Sequence, residues 1–269
     1  MHFIEIGGVT LHFAHRPAGD GRHILFINSL GTDLRIWDEV VSSLAGAVST
    51  LTYDKRGHGL SDIGPAPYSI EDHVDDLVGL VDSLGIERVV PCGLSVGGLV
   101  ALGFCKRRPE MVDGLILCDT AHKIGTADGW NARIATVEEK GIGAIADGIM
   151  KVWFTPAFHA GRKPELAAYR NMLARQPVAG YAGTCVALRE ADYTEAARNI
   201  SVPALCLVGD QDGSTPPDLV KATADLIPGA SFGIIGDAGH IPCVEQPAAL
   251  TARLRQFLSE LSSGEGRHG

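Results

Sequence analysis

Three things that the sequence lacks exclude whole classes of protein. Its longest apolar runs, such as residues 89–92 and 114–118, fall far short of the roughly 20 residues that a membrane-spanning helix requires. Lysine and arginine number 23 against 32 aspartate and glutamate, and the formal charge of −9 disfavours nucleic acid and anionic membrane surfaces as partners. The chain has 269 residues, 45% of them hydrophobic, which is enough to bury a large core in one or two domains.

The third absence is any grouping of the six cysteines at metal-ligand or redox spacing. They are scattered, with no C-x-x-C pair and no cysteine and histidine cluster, so we interpret them as reduced thiols and predict no metal site. The N-terminus has no basic stretch followed by an apolar signal core, which favours a cytoplasmic protein. The sequence indicates no organic cofactor, and it leaves the oligomeric state open.

Strand and helix patterns alternate along most of the chain, which is typical of an α/β fold with a mostly parallel sheet and helices on both faces. Two short segments meet at Gly7-Gly8 and predict an N-terminal hairpin, and six apolar runs predict core strands. We therefore expect eight strands, at residues 3–6, 9–13, 23–28, 51–54, 88–92, 115–119, 204–209 and 232–235.

One interval, residues 120–198, breaks this alternation because it contains helix-like segments and no clear buried strand. We predict a helical lid there, inserted after the sixth strand. Residues 1–119 and 199–262 would form the core, and residues 263–269 a disordered tail. The predicted lid has ten basic and eight acidic residues, whereas the rest of the chain has 13 and 24, so the lid is the least acidic part.

A further helix is predicted from Ile70 to Leu84. Ser69 and Asp72 have the spacing of a helix cap, and apolar residues recur at helical intervals after them. We interpret the aspartates of this helix as a solvated face; they lie at positions 72, 75, 76 and 82.

The strongest chemical signal is a G-x-S-x-G pattern, Gly93-Leu94-Ser95-Val96-Gly97. It follows a predicted strand and precedes an apolar helix, which is the arrangement of a nucleophile elbow. Side chains at positions 93 and 97 would collide with neighbouring backbone in so sharp a turn, so glycine has a steric reason there. Ser95 is the candidate nucleophile, and the alternative is an ordinary glycine-rich turn.

A serine hydroxyl needs a base to take its proton, and the chain has ten histidines. His240 is favoured because its loop follows the last predicted strand, at the same edge of the sheet as Ser95. His58, in a loop after the fourth strand, is the main alternative. The other histidines fall in the hairpin, a surface helix, the lid or the tail, where a structural or solvated role is the default.

A carboxylate must orient the base and stabilise its charged form. We assign this role to Asp212, in the loop directly after the seventh strand. The order Ser95, Asp212, His240 is that of α/β-hydrolases and differs from the orders in chymotrypsin and subtilisin. Two alternatives stay open, Asp210 in the same loop and Asp119 at the end of the preceding strand.

The anionic intermediate of acyl transfer needs backbone N–H donors. One candidate is the N–H of Val96, directly after the nucleophile. The second is the N–H of Leu30, in the loop after the strand that ends at Asn28. The sequence has no H-G-G-G segment, which argues against the lipases and esterases that use it.

From about residue 3 to 260 the sequence resembles the α/β-hydrolase superfamily. Residues 54–62 resemble its Asp-x-Arg-Gly-x-Gly-x-Ser segment, which follows the fourth strand. Within the superfamily, the sequence is most similar to bacterial 3-oxoadipate enol-lactonases. That similarity is carried by residues 27–33, by the elbow Gly-Leu-Ser-Val-Gly-Gly and by residues 153–158 in the lid.

The resemblance implies hydrolysis of a small anionic enol-lactone to 3-oxoadipate in aromatic-compound catabolism, with no cofactor. The substrate carboxylate would need a local cation in so acidic a protein. Arg133 is the candidate, since it shares a helical face with Trp130, and Trp153 is a further candidate contact. The alternative is that both tryptophans pack the lid and Arg133 faces solvent.

Other functions stay open, because fold analogy does not fix a substrate. A general carboxylesterase or a carbon–carbon-bond hydrolase would use the same triad. A cofactor-free perhydrolase is compatible with the fold. A non-catalytic binding protein is disfavoured because all three triad positions are filled.

Overall fold

The computed structural model describes residues 1–19 and 21–265, and within them the chain forms one eight-stranded sheet. In chain order the strands are β1 (His2–Ile6), β2 (Val9–Arg16), β3 (Arg22–Ile27), β4 (Ser49–Tyr53), β5 (Arg88–Leu94), β6 (Leu115–Cys118), β7 (Ala204–Gly209) and β8 (Ser231–Ile235). Their spatial order is β1-β2-β4-β3-β5-β6-β7-β8. β2 pairs antiparallel with β1 and β4, and the other neighbouring strands are parallel. The eight predicted strands are confirmed, with ends shifted by a few residues.

Helices cover this sheet on both faces, as the alternating pattern predicts. They are α1 (Asp38–Leu44), α2 (Ile70–Ser83), α3 (Val96–Arg107), α4 (Ala127–Lys140), α5 (Gly143–Trp153), α6 (Pro156–Gly161), α7 (Lys163–Ala174), α8 (Val178–Glu190), α9 (Thr194–Arg198), α10 (Pro217–Leu226), α11 (Pro242–Glu245) and α12 (Pro247–Glu265), with short 3₁₀ turns at Leu34–Trp37 and Pro109–Met111. Between β6 and β7, where every residue is described, the chain is helical from α4 to α9. That these helices act as a lid stays a prediction. Among the described helices, none has the length and apolar character needed to cross a membrane.

The central parallel strands position the site. Every residue of β3, β4, β6 and β7 is buried, because helices cover both faces of the sheet. The carboxyl ends of parallel strands lie at one edge, so the loops after β3, β4, β5, β6, β7 and β8 meet there. All the residues considered above as nucleophile, base, acid or N–H donor, including His58 after β4, lie on these loops or directly beyond them.

Helix α2 begins as predicted, but one of its aspartates is not solvated. Ser69 and Asp72 form a capping box, with each side chain bonded to the backbone of the other residue. Asp76, by contrast, is buried and accepts hydrogen bonds from Arg56 Nε at 2.6 Å and Nη2 at 2.7 Å. The prediction of a fully solvated face is therefore wrong, because a cation from the loop after β4 reaches this side of the helix.

The C-terminal boundary also differs from the prediction. Helix α12 continues to Glu265, so the expectation of disorder is wrong for residues 263–265. Leu254, Phe257 and Leu261 are buried against the core, and a helix anchored in this way extends readily by further turns. The rest of the predicted tail, residues 266–269, lies outside the described residues.

Candidate active site

Ser95 occupies a strained turn between β5 and α3. Its backbone has φ 57° and ψ −122°, a conformation that costs a non-glycine residue roughly 1–3 kcal/mol. The Ser95 N–H donates to the Cys118 carbonyl at 3.1 Å, and its carbonyl accepts from Thr120 Oγ1 at 2.6 Å. These bonds to the end of β6 hold the turn, so the serine is presented at the edge of the sheet.

The two glycines of the elbow have the steric role that the sequence predicts. A Cβ at Gly93 would collide with the carbonyl of Gly97, and a Cβ at Gly97 would collide with the carbonyl of Ile27 at the end of β3. Both obstacles are backbone atoms, which cannot move aside as a flexible side chain can. Glycine at these positions lets α3 start directly after Ser95.

His240 and Asp212 form a buried hydrogen-bonded pair. His240 Nδ1 lies 3.0 Å from Asp212 Oδ1 and 2.9 Å from Oδ2, and the two residues are 1% and 4% exposed. The carboxylate holds a proton on Nδ1, which leaves Nε2 as the ring nitrogen able to take a proton from a hydroxyl. Burial raises the pKa of Asp212, but His240 and hydrogen bonds from Thr215 and Ser214 outweigh it and hold the pKa below its usual value.

Asp119, the alternative acid, lies beside this pair. Asp119, Asp212 and His240 each have one side-chain oxygen or nitrogen atom that lies within 4.8 Å of those of the other two residues. Asp119 is fully buried, and its Oδ1 accepts the Gly209 N–H at 2.8 Å. Burial and the charge of Asp212 raise the pKa of Asp119 well above its usual value, because adjacent carboxylates cannot both ionise. Asp119 is therefore the harder of the two carboxyl groups to ionise, and Asp212 is the better suited to stabilise a charged His240.

Such a cluster has the spacing of a metal site, but its chemistry suits proton transfer better. The pKa of Asp119 is raised and that of Asp212 is lowered, and Asp212 is already bonded to Nδ1 of the imidazole. The other aspartate alternative, Asp210, accepts the N–H of Ala238 at 3.1 Å and so stabilises the loop that carries His240.

His58, the alternative base, is bonded within its own loop. It is fully buried, and its Nδ1 lies 3.2 Å from the carbonyl of Arg56. Burial and then the nearby charge of Lys55 lower its pKa well below the usual value. His58 is therefore a neutral core histidine.

The two candidate N–H donors emerge from neighbouring strands. β3 pairs with β5 up to Ile27 and Gly93, so the loop that carries Leu30 runs beside the elbow. Leu30 is 6% exposed, and Val96 is buried as the first residue of α3. The first N–H groups of a helix have no partner within it, which leaves that of Val96 available to an anion.

The helices after β6 contact the histidine loop directly. The Trp153 carbonyl, at the end of α5, accepts the His240 N–H at 2.8 Å. Glu245 Oε1 accepts from Thr155 N–H and Oγ1 at 3.1 and 2.7 Å, and its Oε2 accepts the Gly239 N–H at 2.7 Å. The sequence reasoning missed Glu245 and Thr155. The Thr155-Pro156 start of α6 is a recognisable helix-start signal, but it does not reveal the partner in α11.

Comparison with known proteins fits this geometry. The sequence profile of the Alpha/beta hydrolase family matches residues 24–254. The chain belongs to this family. One named relative is 3-oxoadipate enol-lactonase 2 of Acinetobacter baylyi. It is 34% identical to this chain over 241 residues, which cover 90% of each sequence.

Solved structures of related enzymes superpose closely on this hydrolase. The enol-lactonase from Burkholderia xenovorans LB400 has a TM-score of 0.92 at 34% identity, covering 96% of this chain and 100% of its own. A thermophilic esterase from Thermogutta terrifontis, solved with malate bound, has a TM-score of 0.91 at 28% identity, covering 97% and 99%.

The lid candidates separate into two groups in this α/β hydrolase. Arg133 and Trp153 line one cavity of about 420 Å³ together with Ser214, whose N–H donates to Asp212. Trp130 lies behind them: the guanidinium carbon of Arg133 is 5.0 Å from its ring centroid, and its Nε1 donates to the Ile124 carbonyl at 2.7 Å. Arg133 and Trp153 thus line a space that reaches Ser214, in the loop of the candidate acid, but Ser95, Asp212 and His240 do not line it. Trp130 packs against Arg133 within α4.

Proposed function

We propose that this α/β hydrolase opens a small anionic enol-lactone, converting 3-oxoadipate enol-lactone and water to 3-oxoadipate, through a catalytic triad of Ser95, His240 and Asp212. The observation that carries the proposal is the buried His240–Asp212 pair at the sheet edge where Ser95 occupies a strained turn. The substrate class is supported by the enol-lactonases that are 34% identical to this chain. The reaction would serve the beta-ketoadipate pathway of aromatic-compound catabolism in the cytoplasm.

The chemistry starts with proton transfer. His240 Nε2 takes the proton of Ser95 Oγ as the oxygen bonds to the lactone carbonyl carbon, and Asp212 stabilises the resulting imidazolium. The carbonyl oxygen becomes an anion, and the N–H groups of Leu30 and Val96 donate hydrogen bonds to it as an oxyanion hole. No metal or organic cofactor is required for this step.

Collapse of the tetrahedral intermediate breaks the ring C–O bond, and His240 returns its proton to the departing enol oxygen. The enol, a good leaving group, converts to the ketone, and the acyl chain stays on Ser95. Water then attacks the acyl-enzyme, with His240 again as base, and releases the new carboxylate and the serine.

The substrate carboxylate would bind Arg133. Its guanidinium is half-buried over Trp130 and lines the same cavity as Trp153, so a carboxylate there would face a partly desolvated cation. The malate bound to the related esterase from Thermogutta terrifontis is consistent with acceptance of small dicarboxylates on this fold.

The test is hydrolysis of enzymatically generated 3-oxoadipate enol-lactone, followed by its ultraviolet absorbance. We expect kcat/KM of about 10⁴ M⁻¹s⁻¹ or more, with a loss of several orders of magnitude in Ser95→Ala. Arg133→Met should raise KM about tenfold for the lactone and leave neutral aryl esters unaffected, since a charged contact is lost. The matched control is Arg170→Met, which removes a lid arginine paired with Asp147.

Two results would contradict the proposal in different ways. Full activity in Ser95→Ala would remove the nucleophile assignment. Failure on the lactone together with hydrolysis of aryl esters would keep the triad and favour a general carboxylesterase, the alternative that the 28% identical esterase supports.

A further inference from the structure

One buried cation touches the loop that carries the candidate oxyanion donor. Lys55 follows β4 and is 0% exposed, which is rare for a lysine. Its Nζ donates to the carbonyl of Asn28 at 2.8 Å and to the carbonyl of Ser29 at 3.0 Å. A buried ammonium is costly unless it is hydrogen-bonded, so these two carbonyls are what hold it there.

The Ser29 carbonyl and the Leu30 N–H belong to the same peptide group. In a trans peptide the C=O and N–H bonds point in opposite directions. A group that donates to the Ser29 oxygen therefore lies on one side of this peptide, and a group that accepts from the Leu30 N–H lies on the other side. Thr32 Oγ1 also donates to the Ser29 carbonyl, at 2.9 Å, which further fixes the orientation of the peptide. A cation on the carbonyl polarises the peptide and makes its N–H a stronger donor.

We propose that Lys55 is a positioning residue of the oxyanion hole, whose ammonium orients and polarises the Ser29–Leu30 peptide, and that catalysis slows when this ammonium loses its proton. The inference rests on the proposed function, since that assigns the Leu30 N–H to the oxyanion. Lys55 does not touch the substrate; it acts through the peptide.

The groups around Lys55 determine the pH at which its ammonium loses a proton. Burial lowers the pKa of Lys55 to about 7, against the opposing charges of Asp54 and Asp33. Two imidazoles face the same cluster, His58 from its own loop and His73 from α2, and burial followed by the charge of Lys55 lowers the pKa of each well below its usual value. The imidazoles are therefore neutral, and Lys55 is the member of this group that changes charge near neutral pH.

This arrangement predicts the shape of the rate profile. The ammonium is present below pH 7 and lost above it, so kcat should fall as the pH rises through about 7. Lys55→Met keeps the length and apolar stem of the side chain but has no donor. Its kcat should be about 10- to 100-fold lower, less than the full effect of deleting an oxyanion donor, and its alkaline limb should be flat.

The probe is a fluorophosphonate, whose phosphoryl oxygen occupies the oxyanion hole as it reacts with Ser95. Its second-order rate constant is measured from pH 6 to pH 9 in the wild type and in Lys55→Met, and kcat and KM for the lactone are measured in parallel. The control is Lys221→Met, which removes an exposed lysine paired with Asp225 on α10. The probe needs only the nucleophile and the hole, so it reports on Lys55 even where the lactone is not a substrate.

The proposal is supported if the wild-type rate falls as the pH rises through about 7 in both assays and this fall is absent in Lys55→Met. Lys55→Met should also have a lower kcat with KM little changed, and Lys221→Met should behave like the wild type. A folded Lys55→Met with the wild-type rate and profile would overturn the proposal. If Lys55→Met does not fold, the pH dependence of the wild-type rate is the test. A wild-type rate that stays constant from pH 6 to pH 9, with unchanged circular dichroism, would refute the role of the ammonium.

Discussion

Two buried histidine–aspartate pairs in this protein have nearly the same geometry, yet they lie in different parts of the sheet. His240 Nδ1 is 2.9 Å from Asp212 Oδ2, and His12 Nδ1 is 2.7 Å from Asp54 Oδ2. The first pair joins the loops that follow β7 and β8, at the same edge of the sheet as Ser95. The second joins β2, an antiparallel strand, to the residue that follows β4.

The partners of each carboxylate explain the difference. Asp54 also accepts the N–H groups of Leu34 at 2.8 Å and Leu60 at 2.9 Å, so it ties three chain segments together. It borders a cavity of about 560 Å³, larger than the one of about 420 Å³ beside Arg133. Neither pair geometry nor cavity size therefore identifies the site. The strained serine at the end of β5 does, together with the position of the first pair on the loops after β7 and β8.

The largest expected effect comes from neutralising each carboxylate in turn. Asp212→Asn should lower kcat about 10⁴-fold, because the amide favours the wrong imidazole tautomer. Asp54→Asn should lower the free energy of unfolding by about 1–3 kcal/mol, because an amide N–H group would face a backbone donor. Its kcat near neutral pH should fall only a few-fold, because loss of the Asp54 charge further lowers the pKa of Lys55. Lactone kinetics and urea unfolding measure both. Equal losses of kcat in the two variants would break the distinction between the pairs.

A smaller effect should come from Asp119, the carboxyl group of raised pKa beside the His240–Asp212 pair. Asp119→Asn retains an N–H donor toward Asp212 and an acceptor for the Gly209 N–H, so kcat should stay within about threefold of the wild type. Asp119→Leu retains neither and should lower kcat about tenfold. The two variants are compared by kcat and by thermal unfolding. An equal loss in Asn and Leu would show that Asp119 must itself ionise.

The smallest effect should come from the contacts that hold the backbone around each histidine. Glu245→Gln weakens the acceptor shared by Thr155 and Gly239, next to His240, and should lower kcat a few-fold. Its counterpart is Ser61→Ala, which removes the acceptor of the His12 N–H and should cost about 1 kcal/mol of unfolding free energy without changing kcat. A change of kcat in Ser61→Ala would mean that the two regions are coupled.

The sequence by itself determined the eight strands, the elbow and the order of the candidate triad. Strands and turns are local features: apolar runs mark the buried parallel strands, and glycine at positions 93 and 97 marks a turn that admits no side chain. Because parallel strands end at one edge, strand order along the chain was enough to bring Ser95, Asp212 and His240 to that edge. Their catalytic roles stay predictions.

Only the tertiary structure decided which groups are charged and which are buried. The sequence left Asp119 and Asp212 as alternatives, and in the folded chain burial and hydrogen-bond partners shift their pKa values in opposite directions. It likewise treated Asp76 as solvated and did not single out Lys55, although one is bonded to Arg56 and the other to the Asn28 and Ser29 carbonyls. Ionisation depends on burial and on partners distant in sequence, and those exist only once the chain has folded.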